Sequence, residues 1–241
     1  MQDFHLAVGH HQAGRLAEAE RLYRQTLAQY PEHAESYHLL GVLACQVGRF
    51  EAAAALIEQA IRLDDGAAAY HNNLANALKA LSRLPEAASC CRRALALKPD
   101  YAEARYNLGL ILRGLNQPGE AAACFIQVLA RRPDDAEAYW MLGCALQDLD
   151  RPEQAAARYR QALALRPDYT EAHYNLGRVL QDLGQTEEAM ACYRRALALD
   201  PGGIEARLNL GNLLQDQGLT EEAVACYRCR ATITVAAGRQ L

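Results

Sequence analysis

The chain has 241 residues, a formal net charge of −4, and 51% hydrophobic but only 7% aromatic residues. The charge argues against nucleic acid, which needs a concentrated basic surface. The longest purely apolar run, Ala52–Ile57, is too short to span a bilayer, and an Ala-rich chain suits stacked helices better than a sheet sandwich.

One 34-residue period organises the chain, and a strict period of this length implies one helical hairpin copied end to end. Leu40, Leu74, Leu108, Leu142, Leu176 and Leu210 keep the register. Each is followed by a small residue: Gly41, Ala75, Gly109, Gly143, Gly177 and Gly211. Seven repeats are expected, at approximately 1–33, 34–67, 68–101, 102–135, 136–169, 170–203 and 204–237, forming a single array with a tail at 238–241.

In the first repeat Leu6 and Ala7 hold the Leu-small slot, Gly14 ends the first helix, and Leu16, Ala19, Leu22, Tyr23 and Leu27 define the second. In the second repeat Leu40, Leu43 and Val47, then Ala53, Ile57 and Ala60, recur at helical spacing. The break between the helices falls at Gly48. Its equivalents are Gly14, Ser82, Asn116, Asp150, Gly184 and Gly218, mostly residue types that tolerate a left-handed backbone. Pro85, Pro118 and Pro152 open the second helix of the third to fifth repeats, where a missing N–H does no harm. Asp100-x-x-Glu103, Asp134-x-x-Glu137 and Asp168-x-x-Glu171 have the spacing of capping boxes at the start of the next first helix. The seventh repeat departs at its end, where Arg230 takes the slot held by Ala60, Ala94, Ala162 and Ala196. A charge there is tolerable only without a further hairpin packed on it, so the end faces are candidates for self-association.

The leucine register, the Ala column from Ala19 to Ala223 and the prolines at Pro31, Pro99, Pro133, Pro167 and Pro201 resemble the tetratricopeptide repeat. The resemblance runs from about Phe4 to about Tyr227. It implies an all-α, right-handed superhelical solenoid of seven helix-turn-helix hairpins, and a protein-protein interaction scaffold rather than an enzyme. No phosphate loop, nucleophile motif or carboxylate pair beyond the caps is present, so no catalytic residue and no cofactor are expected. Cys90, Cys124, Cys192 and Cys226 share one slot on separate hairpins and cannot pair freely, which reads as reduced, semi-buried thiols. Cys226-x-x-Cys229 lacks the further ligands zinc needs. With no leader recognisable, a cytoplasmic location is expected.

In such an array the first helices line the concave side. Their groove slots give Asn72, Asn73 and Asn76; Tyr106 and Asn107; Trp140; Tyr174, Asn175 and Arg178; and Asn209 and Asn212. His38, Leu39, Val42, Leu110, Met141, Cys144 and Leu208 complete these slots. Asparagine recurs as Asn73, Asn107, Asn175 and Asn209. It offers both a donor and an acceptor, so a row can hold the backbone of an extended peptide, or else bond a neighbouring helix and set the stacking. These asparagines also resemble the array of O-linked N-acetylglucosamine transferases, which implies a groove presenting substrate proteins, interrupted here at Leu39 and Met141. The slots that clamp chaperone C-termini in other members give Asn72, Asn76 and Asn107 without Lys or Arg, so that specificity is not expected. The expected partner is a protein or peptide. A substrate arm of a larger glycosyltransferase, or self-assembly through the ends, are the alternatives.

Overall fold

The computed structural model describes the backbone of residues 2–237 and the side chains of residues 2–228. The side chains of Cys229 and Arg230 and the whole tail 238–241 therefore lie outside what the structure describes. Among the described residues there are fourteen helices and no strand. In pairs they are α1 (Gln2–Gln12) and α2 (Leu16–Gln29), α3 (Ala34–Gln46) and α4 (Phe50–Leu63), α5 (Ala68–Ala80) and α6 (Leu84–Leu97), and α7 (Ala102–Gly114) and α8 (Pro118–Leu129). Then follow α9 (Ala136–Asp148) and α10 (Pro152–Leu165), α11 (Thr170–Asp182) and α12 (Thr186–Leu199), and α13 (Ile204–Asp216) and α14 (Thr220–Ala237). The chain divides into two compact units, Met1–Val128 and Leu129–Leu241.

The hairpin break is closed by the same backbone bonds in every repeat. All seven break residues take positive φ: Gly14, Gly48, Gly184 and Gly218 at 72–76°, and Ser82, Asn116 and Asp150 at 56–60°. The amide after each reaches back to the last turn of the first helix, as Arg49 N to Ala44 O at 2.8 Å and Gln185 N to Leu180 O at 2.8 Å. This is a left-handed cap that satisfies carbonyls the helix would leave unpaired. Ser lacks the tolerance of Gly or Asn for this geometry. Ser82→Gly is therefore expected to raise stability by about 0.5–1 kcal/mol, read from the urea midpoint.

Within a hairpin, glycine on the first helix admits a large side chain from the second. A Cβ on Gly143 would sit 2.5 Å from the Tyr159 ring, and one on Gly177 2.7 Å from Tyr193. Gly41 meets Ile57 and Gly109 meets Phe125 in the same way. The one buried pair in this register without a large residue is Ala75 with Cys91, where the first helix can carry a methyl. The first hairpin differs, with buried Ala7 on the side of Tyr23.

Within each unit, second helices pack on their own first helix and on the first helix of the next hairpin, as α3 with α4, α4 on α5 and α10 on α11. First helices also touch each other, α3 with α5 and α5 with α7 in the first unit, and α9 with α11 in the second. Within each unit this places the first helices on the inner side of the stack. On the opposite side, exposed ion pairs join successive second helices: Arg160 to Glu188 at 2.9 Å and Arg194 to Glu222 at 3.1 Å. Such pairs contribute only ~0.2–1 kcal/mol each. Arg160 and Arg194 thus lie on a solvated outer face. Between hairpins, a side chain one turn into the first helix donates to the carbonyl just before it. Examples are His71 Nε2 to Asp65 O at 3.1 Å and His173 Nε2 to Pro167 O at 2.9 Å.

The capping boxes are not formed as expected. The caps of α7, α9 and α11 are Tyr101, Asp135 and Tyr169, one residue after each anticipated aspartate. Of these only Asp135 accepts a backbone bond, from Ala138 N at 2.9 Å. The tyrosines instead turn their rings into the junction with the preceding hairpin, a position an Asp cap would leave unfilled.

Candidate groove on the first helices

The four asparagines of the row all send their amide nitrogen backward, to the preceding hairpin. Asn73 Nδ2 donates to His38 Nε2 at 2.8 Å, and Asn107 Nδ2 to Asn72 Oδ1 at 2.9 Å. Asn175 Nδ2 lies 3.5 Å from Cys144 Sγ, and Asn209 Nδ2 3.4 Å from the Tyr193 hydroxyl. So the donor half of each amide sets the stacking. Asn73, Asn175 and Asn209 stay half-buried, whereas Asn107 is buried.

In the first unit these residues join into one polar chain. Asn72, fully buried, donates to Glu103 Oε1 at 3.1 Å and accepts from Asn107. His38, buried against Tyr70 with ring centroids 4.3 Å apart, receives the Asn73 amide. Burial pushes His38 down to about 4, which keeps it neutral and able to accept that bond. Asn76 is half-buried outside this chain, and Tyr106 packs on Phe125 at 5.6 Å.

In the second unit the buried Tyr193 hydroxyl donates to Gln181 Oε1 at 2.9 Å while facing Asn209, so one phenol ties two hairpins. Burial pushes it up to about 12. Asn212 accepts from Tyr227 at 2.8 Å, and Arg178 is exposed. Trp140 packs against Tyr169 at 5.3 Å, and its indole N–H is buried without a bonded acceptor. Tyr174 meets Tyr193 at 6.1 Å on one side and borders a cavity of about 200 Å³ on the other.

What sequence spacing missed is the column that caps the first helices. Its members His33, Tyr101 and Tyr169 plug the space over the groove slot of the preceding hairpin. His33 lies 4.7 Å from Phe4, and Tyr169 covers Trp140. A cation three residues earlier clamps the two tyrosines: Lys98 is 5.3 Å from the Tyr101 ring, and Arg166 4.3 Å from Tyr169. The column reads His33, Ala67, Tyr101, Asp135, Tyr169 and Gly203, so an aromatic stands in every other repeat.

Models of the tetratricopeptide repeat match residues 10–80 and 78–143, and again 141–204 and 177–228. The chain belongs to the tetratricopeptide repeat family. No curated protein matches the chain. Among solved tetratricopeptide repeat-like structures, it is similar to MamA 41-end from Desulfovibrio magneticus RS-1, at 22% identity and a TM-score of 0.67. That match covers 70% of this chain and 96% of MamA. It is similar to YrrB, described as a TPR protein with an unusual peptide-binding site, at 23% identity and 0.66, over 76% of this chain and 95% of YrrB. Pseudomonas aeruginosa pilF aligns at 20% identity and 0.71, over 80% and 88%. At these identities the likeness is one of fold.

Among the described residues no disulfide is formed, and burial pushes up the thiols of Cys45, Cys124, Cys192, Cys90 and Cys91, the last two to about 11 and about 12. That places them away from reactive thiolates. Among the described residues no cluster could hold a metal ion, and no helix is long and apolar enough to cross a membrane.

Proposed function

We propose that the protein is a non-catalytic scaffold that holds an extended segment of a protein partner along the first-helix face of its units. The observation that carries this reading is the asparagine row. Each amide nitrogen is held by the preceding hairpin, which orients the side chain; the carbonyl oxygens of Asn175 and Asn209 are the groups to offer a ligand, while that of Asn73 also lies 3.5 Å from Asn72 Nδ2. Backbone N–H groups of an extended peptide are complementary to such a row and need no particular side chains. Half-buried Tyr174 and exposed Arg178 and Asn212 widen the contact surface in the second unit. Arg178 is the basic member of these slots, which favours protein over nucleic acid. The peptide-binding description of YrrB supports the same reading. Presentation of substrates, as in the transferase arrays, would be a special case of it.

The test is selection from a displayed library of random dodecapeptides, followed by fluorescence polarisation. The triple variant Asn73→Ala, Asn175→Ala, Asn209→Ala is expected to bind the selected peptides roughly tenfold more weakly, about 1.4 kcal/mol, while keeping its helical circular dichroism. Failure to enrich any peptide, or equal binding by the triple variant, would overturn the reading.

A further inference from the structure

The cavity beside Tyr174 lies where the capping column has Gly203, which, like Ala67 and Asp135 earlier in the column, brings no ring. In the hairpin before, the equivalent space over Trp140 is filled by the Tyr169 ring, with the Arg166 guanidinium stacked on it. One repeat later Gly203 stands in place of Tyr169, and Asp200 in place of Arg166. The backbone has not changed to suit glycine: Gly203 has φ −63° and ψ 94°, Tyr169 φ −81° and ψ 93°. A Cβ at Gly203 would meet nothing closer than 3.4 Å. So the position would accept a side chain but presents an opening of about 200 Å³.

The opening has lost both the ring and the cation that fill its sister site. Its walls are Tyr174, Ala196 and Ala206, flat and apolar. Its rim carries the carboxylates of Glu171, Asp200 and Glu205, all exposed. Asp200 Oδ1 is held by Gly202 N at 2.9 Å, which fixes that carboxylate at the edge. Arg207, on the same helix as Glu205, turns its guanidinium to the Pro201 carbonyl. An occupant should therefore bring a flat body for Tyr174 and a positive charge for the rim. Arginine supplies both in one group: a planar guanidinium that stacks on aromatic rings and bonds carboxylates through paired N–H groups.

We propose that this cavity is a pocket for an arginine side chain of the bound partner, so that the sixth and seventh repeats read one basic residue in an otherwise sequence-tolerant grip. The proposal rests on the peptide-binding reading above for its partner, but its test does not. N-acetyl-arginine methylamide is titrated into the 15N-labelled full chain, alongside the citrulline and tyrosine analogues. Saturable shifts centred on the Gly203 amide are expected, with citrulline binding roughly tenfold more weakly because it keeps the shape and loses the charge. Gly203→Tyr, which restores the sister residue on a compatible backbone, should abolish the shifts. Gly203→Ala, as a folded control, should keep them. No shift at Gly203, equal binding of citrulline, preferential binding of the tyrosine analogue, or arginine binding that survives Gly203→Tyr would each overturn the assignment. If the pocket fails while library peptides still depend on Asn73, Asn175 and Asn209, the groove stands without it. If the pocket holds while those peptides bind the triple variant equally, the groove reading alone is lost.

Discussion

Tyr159→Cys should lower stability by about 3 kcal/mol, and adding Gly143→Ala should recover part of that loss rather than add to it. Tyr159 is fully buried, and its ring lies where a Gly143 methyl would be. Its hydroxyl donates to Gln147 Oε1 at 3.0 Å. Truncation to Cys removes the ring, opens a cavity in the hairpin and leaves Gln147 without this donor. The third hairpin shows a packing without the ring, since Ala75 and Cys91 occupy the same slots and both are fully buried. Gly143→Ala alone is expected to cost about 1–3 kcal/mol through overpacking against Tyr159, despite the better helix propensity of Ala. Urea denaturation of the four proteins closes the cycle. Strict additivity would show that the glycine column does not exist to admit the ring. Because neighbouring repeats support each other, the loss should be read as a shift of the whole transition unless the second unit melts separately.

Acidification from pH 7 to pH 4.5 should destabilise the protein more than a His38→Gln variant, with a difference on the order of 2–3 kcal/mol. His38 titrates near 6.5 when unfolded and is pushed down to about 4 by burial in the fold. The folded state therefore prefers the neutral ring. The stabilisation is complete above pH 6.5 and is lost as the pH falls toward 4, because the unfolded chain takes up the proton first. Protonation of folded His38 would also put an N–H against the Asn73 amide donor. Glutamine keeps an acceptor and does not titrate. Carboxylates change over the same range in both proteins, so the informative quantity is the difference between their midpoints. Parallel pH profiles would show that His38 is not held neutral.

The repeat, the hairpin pairing and all seven left-handed breaks were legible in the sequence, because each depends on residue types at fixed spacing along one helix. Gly184 or Asn116 announces its own backbone. The capping aspartates were misread for the converse reason. Asp168 has the right spacing to Glu171, but the chain starts α11 one residue later so that Tyr169 can cover Trp140. That choice is made by the preceding hairpin, which no local pattern reports. The asparagine row was found as a row, yet the direction of each amide depends on whether His38, Asn72, Cys144 or Tyr193 waits on the earlier hairpin. The cavity at Gly203 was hidden because rings and ringless residues alternate in a column whose purpose only the packed junctions display.

The backward reach of the amides has a consequence for how the chain is made. On the ribosome the amino-terminal hairpins emerge first, so each new asparagine meets acceptors that have already taken their places. Growth can then proceed by templating, with every fresh turn of the nascent chain laid on a finished surface. A row pointing the other way would leave each new hairpin waiting for residues not yet translated.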